Sequence, residues 1–177
     1  DHNWIAPLGP NVNGLEKDLE SFLEQDIHVA ALSSGTAALH LSLILLGIGP
    51  GDYVICQSLT FSASANPIIY VGADPIFVDS ENDTWNLCPT AVEEAIKFGI
   101  SKGRKPKAII AVSLYGMPFK ADEISELSKR YDIPVIEDSA EALGSMYKGQ
   151  KCGTFGDFAV LSFNGNKIIT TSGGGAL

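Results

Sequence analysis

The chain has 177 residues, 45% hydrophobic and 19% charged, enough for one sizeable globular domain. That composition excludes a disordered tail, a collagen-like chain and a coiled coil. Lys and Arg number 12 against 21 Asp and Glu, a net charge of −9, so no basic face offers itself to nucleic acid and none is expected as a partner; a locally basic pocket stays open.

Strand-like and helix-like segments alternate along the chain. Leu15, Leu19, Phe22 and Leu23 recur at helical spacing and predict an amphipathic helix over 14–25. A short β-like run covers 27–32. The apolar stretch over 36–46 predicts a buried helix, closed by the breaker cluster Gly47-Ile48-Gly49-Pro50-Gly51-Asp52. The most apolar stretch, 37–48, is broken by His40 and Ser42 and is well short of the ~20 apolar residues of a membrane span, and no membrane partner is expected. A strand follows at 53–57, a helix at 62–71 with Pro67 near its first turn, a strand at 75–78 and a helix at 89–98 with Pro89 at its start. Further on come a buried strand at 108–114, a helix at 121–131, a short strand at 134–137, a hairpin turn at 147–151 and a strand at 158–163.

This order predicts an α/β fold, a mostly parallel sheet sandwiched by helices, in one domain over 1–177. The last residues, Ser172-Gly173-Gly174-Gly175-Ala176-Leu177, stop as an apolar run begins, which suggests a piece of a longer chain. The start, Asp1-His2-Asn3-Trp4, lacks the basic and apolar regions of a signal peptide. Cys56, Cys88 and Cys152 are odd in number and far apart, which fits reduced thiols in a cytoplasmic protein. His2, His28 and His40 show no metal spacing, and no metal is expected.

In such sheets ligands sit beyond the carboxyl ends of the strands, so the loops after strands are where chemistry is sought. Ser34-Gly35-Thr36 opens the apolar helix. Its N–H groups, partial positive charge and hydroxyls suit a phosphate, or Ser34 is an ordinary cap. Phe61 follows a strand and either stacks on a flat heterocycle or fills the core. Asp138 closes a short strand, where it either holds a ring nitrogen protonated or caps the next turn; Glu141 reaches the same pocket or faces solvent. Tyr115-Gly116 is one more loop at that edge. Lys167, between uncharged neighbours, is a solvated charge or a nucleophile of a desolvated pocket. Walker, G-x-G-x-x-G and G-x-S-x-G patterns are absent from the strand–helix turns. Taken jointly, a phosphate cradle, a stacking aromatic, a strand-end Asp and a later Lys are what a phosphorylated pyridine needs, and pyridoxal 5'-phosphate is that ligand.

At these residues the chain resembles the DegT/StrS-type sugar aminotransferases, fold-type-I enzymes of pyridoxal phosphate. The matching segments are Ile5-Ala6-Pro7-Leu8-Gly9, 33–41, Glu137-Asp138-Ser139-Ala140-Glu141 with its continuation to Gly144, Gly153-Thr154-Phe155-Gly156 and Ser162-Phe163-Asn164-Gly165-Asn166-Lys167. The Lys motif with its Gly-rich tail most resembles enzymes that aminate UDP-linked 4-keto-6-deoxy-N-acetylhexosamines.

The resemblance implies a fold-type-I large domain whose C-terminal small domain is missing. It implies transfer of an amino group from an amino acid, glutamate above all, to a nucleotide-linked keto sugar for surface polysaccharide or glycan biosynthesis. It also implies a homodimer with a shared active site, so that this piece alone could be inactive. Lys167 would carry the cofactor as a Schiff base and shuttle a proton, and Asp138 would pair with the ring nitrogen. Phe61 would lie against the ring, and Ser34, Gly35, Thr36 and Ser162 would serve the phosphate. Glu141 stands where many members have His or Gln. Related dehydratases have His in place of the Lys, and Lys167 argues against that branch. The alternatives are another fold-type-I reaction on amino acids, and a non-catalytic binding or regulatory protein of the same fold.

Overall fold

The computed structural model describes residues 8–177. Ile5-Ala6-Pro7 of the first matching segment and the start at Asp1-His2-Asn3-Trp4 lie outside the described residues. In chain order the elements are α1 (Pro10–Leu23), β1 (Ala31–Leu32), α2 (Gly35–Leu45), β2 (Tyr53–Gln57), α3 (Asn66–Tyr70), β3 (Asp74–Val78), α4 (Pro89–Ser101), β4 (Ala108–Val112), α5 (Ala121–Tyr131), β5 (Val135–Asp138), the hairpin β6 (Met146–Tyr147) and β7 (Gln150–Lys151), β8 (Phe158–Ser162) and β9 (Gly175–Ala176). Seven strands form one sheet in the order β1-β9-β8-β5-β4-β2-β3. Strands β8, β5, β4, β2 and β3 are parallel to one another, and β9 is antiparallel to both β8 and β1.

Strand period two divides the sheet into faces. Val54, Cys56, Ile110, Val112 and Ile136 point to the side covered by Leu39 and Leu43 of α2 and Ile68 of α3. Ile55, Ile109, Ala111 and Val135 point to the side covered by Val92 and Ile96 of α4 and Ile124 and Leu127 of α5. A third cluster joins Leu19 and Leu23 of α1 to Leu161, Phe163 and Ala176 beside β9. The sandwich expected from the sequence is therefore present, a mostly parallel sheet between two helical layers.

Local chemistry explains the element limits. Helix α1 begins four residues before the expected position because Pro10 occupies its first turn, where a missing N–H costs nothing. Helix α5 carries Asp122 and Glu123 in its first turn and Lys129 and Arg130 in its last, each sign matched to the helix dipole.

Several expectations need correction. The run 27–32 contributes only Ala31–Leu32 to the sheet. Two of the run's backbone N–H groups go instead to α1, Val29 to Glu20 Oε1 at 3.1 Å and Ala31 to Glu16 Oε1 at 2.9 Å. The single helix expected over 62–71 is a 3₁₀ turn at Ser62–Ser64 and then α3, because Pro67 belongs at a helix start and not in an interior. The strand expected to reach residue 114 stops at Val112; Leu114–Gly116 is a tight turn with Tyr115 at φ +53°. Helix α2 is buried on one face only: Ala38, Leu39, Ser42 and Leu43 meet the sheet, while Ile44 and Leu45 are exposed. No helix among the described residues is long and apolar enough to cross a membrane.

Candidate active site

The loops that leave β1, β2, β4, β5 and β8 open on one edge of the sheet and enclose a cleft of about 680 Å³. That is the size of a small-molecule site. Ser34, Gly35, Thr36, Phe61, Asp138, Glu141, Ser162 and Lys167 all line it, so the residues read from the sequence as cofactor-binding come to one place, while Tyr115 and Gly116 stay outside its lining.

One wall is the start of α2. Ser34 Oγ accepts the Ala37 N–H at 3.1 Å, so the cap reading of Ser34 is correct, and the first-turn N–H groups at Gly35 and Thr36 have no acceptor inside the helix. Close packing requires the glycines here. A Cβ on Gly35 would sit 3.1 Å from Ser162 Cβ, and one on Gly175 would sit 2.4 Å from both Gly35 N and Ser34 C. In the Gly-rich tail, Gly173 and Gly174 line the cleft, while Gly175 is a strand residue pressed against the helix start. Helix dipole, hydroxyls and absent side chains together suit a phosphate.

At the other end, Asp138 is the last residue of β5 and 5% exposed. Its Oδ2 accepts from Ser64 Oγ at 2.7 Å and its Oδ1 from Ala140 N at 3.2 Å. The Ala140 bond is the turn cap considered from the sequence, so that role and a ligand role coexist. Burial pushes the Asp138 carboxyl above its usual range, against the opposing pull of Ser64, Ala140 and the Lys167 charge. A dry carboxylate in that state favours a cation beside it.

Lys167 is held in a turn by its N–H to Asn164 O at 3.0 Å, and its side chain is 11% exposed, which excludes the solvated reading. Nζ lies 3.1 Å from Glu141 Oε1, so Glu141 also faces the cleft; Glu141 Oε2 accepts the Tyr115 N–H at 2.7 Å. Phe61 is 71% exposed at the cleft and therefore not a core residue. The Tyr115-Gly116 loop touches the site through that Glu141 bond.

Sequence reasoning missed Thr60, Ser64 and the Ala140 N–H. The signal for the first two was thin: two hydroxyls flanking Phe61, of which Ser64 was absorbed into a predicted helix. The Gly153–Gly156 segment, by contrast, does not line the cleft. Its Gly153 and Phe155 N–H groups bind Glu137 on the opposite face of β5 at 2.6 and 2.9 Å.

The donor set fits a phosphorylated, cationic, flat heterocycle bearing an aldehyde: a helix start for the phosphate, an exposed ring for the flat face, a dry carboxylate for the cation and an amine for the aldehyde carbon.

The family model of the DegT/DnrJ/EryC1/StrS aminotransferase family matches residues 1–177. Aminotransferases of that family use pyridoxal phosphate. The chain is 58% identical over 175 residues to the Bacillus subtilis (strain 168) protein named "Putative pyridoxal phosphate-dependent aminotransferase EpsN", covering 99% of this chain and 45% of that one. It is 48% identical over 178 residues to GDP-perosamine synthase of Escherichia coli O157:H7, covering 99% and 46%. The crystal structure of a DegT DnrJ EryC1 StrS aminotransferase from Brucella abortus superposes with a TM-score of 0.92 at 39% identity, covering 96% of this chain and 46% of that one. The chain thus spans less than half the length of the relatives it matches.

Proposed function

The chain belongs to the DegT/DnrJ/EryC1/StrS aminotransferase family, and from that premise we propose that it is the pyridoxal-phosphate-binding part of a longer aminotransferase that moves an amino group from glutamate to a nucleotide-linked keto sugar. The observation that carries this reading is the meeting of Lys167 and Asp138 in one cleft with the start of α2. The bound cofactor supplies the electron-withdrawing ring that stabilises negative charge at the substrate carbon.

The chain's own residues do the rest. Lys167 contributes the amine that anchors the cofactor and afterwards carries a proton to and from the substrate carbon. Asp138, ionised, keeps the proton on the ring nitrogen. Phe61, exposed on the cleft wall, would face the flat ring. Ser34, Gly35, Thr36 and Ser162 take the phosphate. Glu141, 3.1 Å from the Lys167 nitrogen, holds that amine inside the cleft.

The relatives named GDP-perosamine synthase support a sugar carried on a nucleoside diphosphate. The exposed Ile44, Leu45, Ile69 and Tyr70 of α2 and α3 support assembly with a second copy. The three free cysteines support a cytoplasmic setting.

The test is amine exchange. Full-length protein is incubated with pyridoxal phosphate, glutamate and UDP- or GDP-linked 4-keto-6-deoxy sugars, and 2-oxoglutarate and the amino sugar are followed by mass spectrometry. We expect both products with one nucleotide series and neither with Lys167→Ala. A wild-type protein that exchanges no amine with any keto sugar, or an unimpaired Lys167→Ala, overturns the reading.

A further inference from the structure

We propose that Ser64, itself held by Thr60, is a positioning residue that orients the Asp138 carboxylate for a cationic ring nitrogen; the inference rests on the cofactor reading above.

Among the described residues Lys167 is the cation that lines the cleft, and its amine turns to Glu141 rather than to Asp138. What holds Asp138 Oδ2 is the Ser64 hydroxyl at 2.7 Å, 1% exposed. Thr60 Oγ1 lies 2.8 Å from Ser64 Oγ. An ionised carboxylate only accepts hydrogen bonds, so the single Ser64 hydrogen goes to Asp138 and Thr60 must donate to Ser64. For the ionised acid that count sets the relay in the direction Thr60 to Ser64 to Asp138. With the Ala140 N–H on Oδ1, both carboxylate oxygens are tied, which sets the side-chain rotation and leaves lone pairs for a further donor.

Topology adds a second reason. Ser64 stands beyond β2 and Asp138 at the end of β5, with β4 between those strands, so the bond crosses the ligand edge of the sheet. The Ser64 N–H donates to Phe61 O at 3.0 Å. One turn therefore delivers both the exposed aromatic and the hydroxyl that holds the acid.

The charged and titratable groups around Asp138 are Lys167 and Glu141 across the cleft, Glu137 beside it on β5 and Cys56 on β2. Burial and the Asp138 charge push the Cys56 thiol up to about 12, so it stays neutral through the working range. Ser64→Ala alters none of these groups. It removes one donor to the ionised form, and Asp138 then gains its proton at a higher pH. A cationic ring binds only the ionised acid, so the acid limb of cofactor binding moves up, by about one pH unit for a hydrogen bond to a charged group.

The experiment measures the dissociation constant of pyridoxal phosphate by absorbance between pH 5 and 9 on full-length wild type, Ser64→Ala, Ser64→Thr and Thr60→Val. We expect the Ser64→Ala limb about one unit higher, with affinity about tenfold weaker on the limb. Ser64→Thr, which restores the hydroxyl, should coincide with wild type. Thr60→Val should shift the limb the same way but less, and as a partly exposed position it decides the matter if Ser64→Ala fails to fold. A limb unmoved by loss of the hydroxyl, or a Ser64→Thr protein that behaves like Ser64→Ala, overturns the assignment while leaving the cofactor reading intact. A wild-type protein that binds no pyridoxal phosphate overturns both.

Discussion

Glu137 and Asp138 are neighbours on β5 and both buried, yet the alternation of the strand sends them to opposite sides of the sheet. Glu137 enters the α4–α5 side and meets three donors: Ser139 Oγ and Gly153 N at 2.6 Å on Oε1, and Phe155 N at 2.9 Å on Oε2. Asp138 enters the cleft and has two donors, of which one is a hydroxyl relay and the other a turn N–H. Burial pushes both carboxyls above their usual range. The difference lies in what answers it. The closed side answers burial with backbone N–H groups and builds a structural joint between β5 and the loop before β8. The open side leaves room for a cation, which is the proposed use of Asp138.

The sharpest way to break this comparison is to neutralise each acid. Asp138→Asn is expected to lower turnover of the full-length enzyme by about 100- to 1,000-fold, the scale on which a directed electrostatic group counts in catalysis. Steady-state rates with a fixed keto sugar check it. A loss below tenfold would move Asp138 to the structural class.

Glu137→Ala is expected to do the reverse. It orphans three donors, two of them fully buried, and opens a cavity, at a cost of about 3 kcal/mol or more. The fraction that remains folded should bind pyridoxal phosphate as wild type does. Urea unfolding and a cofactor titration on the same preparation separate the two effects.

Gly175→Ala tests the phosphate end. The new Cβ would meet Gly35 N and Ser34 C at 2.4 Å, backbone atoms that cannot swing aside. An overpacking cost of about 1–3 kcal/mol is expected, together with weaker binding of the phosphate. Comparing pyridoxal phosphate with pyridoxal shows whether the loss follows the phosphate.

The smallest effect concerns pH. A carboxyl whose folded pKa is raised contributes stability that is fully present below its unfolded pKa and lost as pH rises through the folded value. Without cofactor Asp138 should therefore subtract stability from acid toward neutral pH, opposite in sign to Glu81, whose hydrogen bonds hold its carboxyl low. Asp138→Asn should flatten that loss and raise the melting temperature at neutral pH, by roughly 2–4 °C for each kcal/mol recovered. An unchanged slope would mean that Asp138 carries no burial penalty.

Much of this architecture was legible in the sequence because the parallel strands are apolar runs and their ends carry the polar residues. Strand β2 and helix α5 fall where pattern alone puts them, at Tyr53–Gln57 and Ala121–Tyr131. Local pattern fails where pairing is distant. Strands β1 and β9 are two residues each, and β9 exists because Gly175 and Ala176 find β8 and β1. Phe61 by itself left a core and a stacking reading open because its ring is apolar; the fold places it exposed at the cleft. Ser64 was invisible as a site residue because its partner lies 74 positions away. The helix that seemed buried throughout is apolar on a face that the described residues leave open.

The central claim is that Lys167 is the residue that captures pyridoxal phosphate. Full-length protein loaded with the cofactor is reduced with borohydride, digested and mapped by mass spectrometry. The account predicts a pyridoxyl mass on the peptide containing Lys167, lost in Lys167→Ala. An adduct on another lysine, or none on a protein that binds the cofactor, would contradict it.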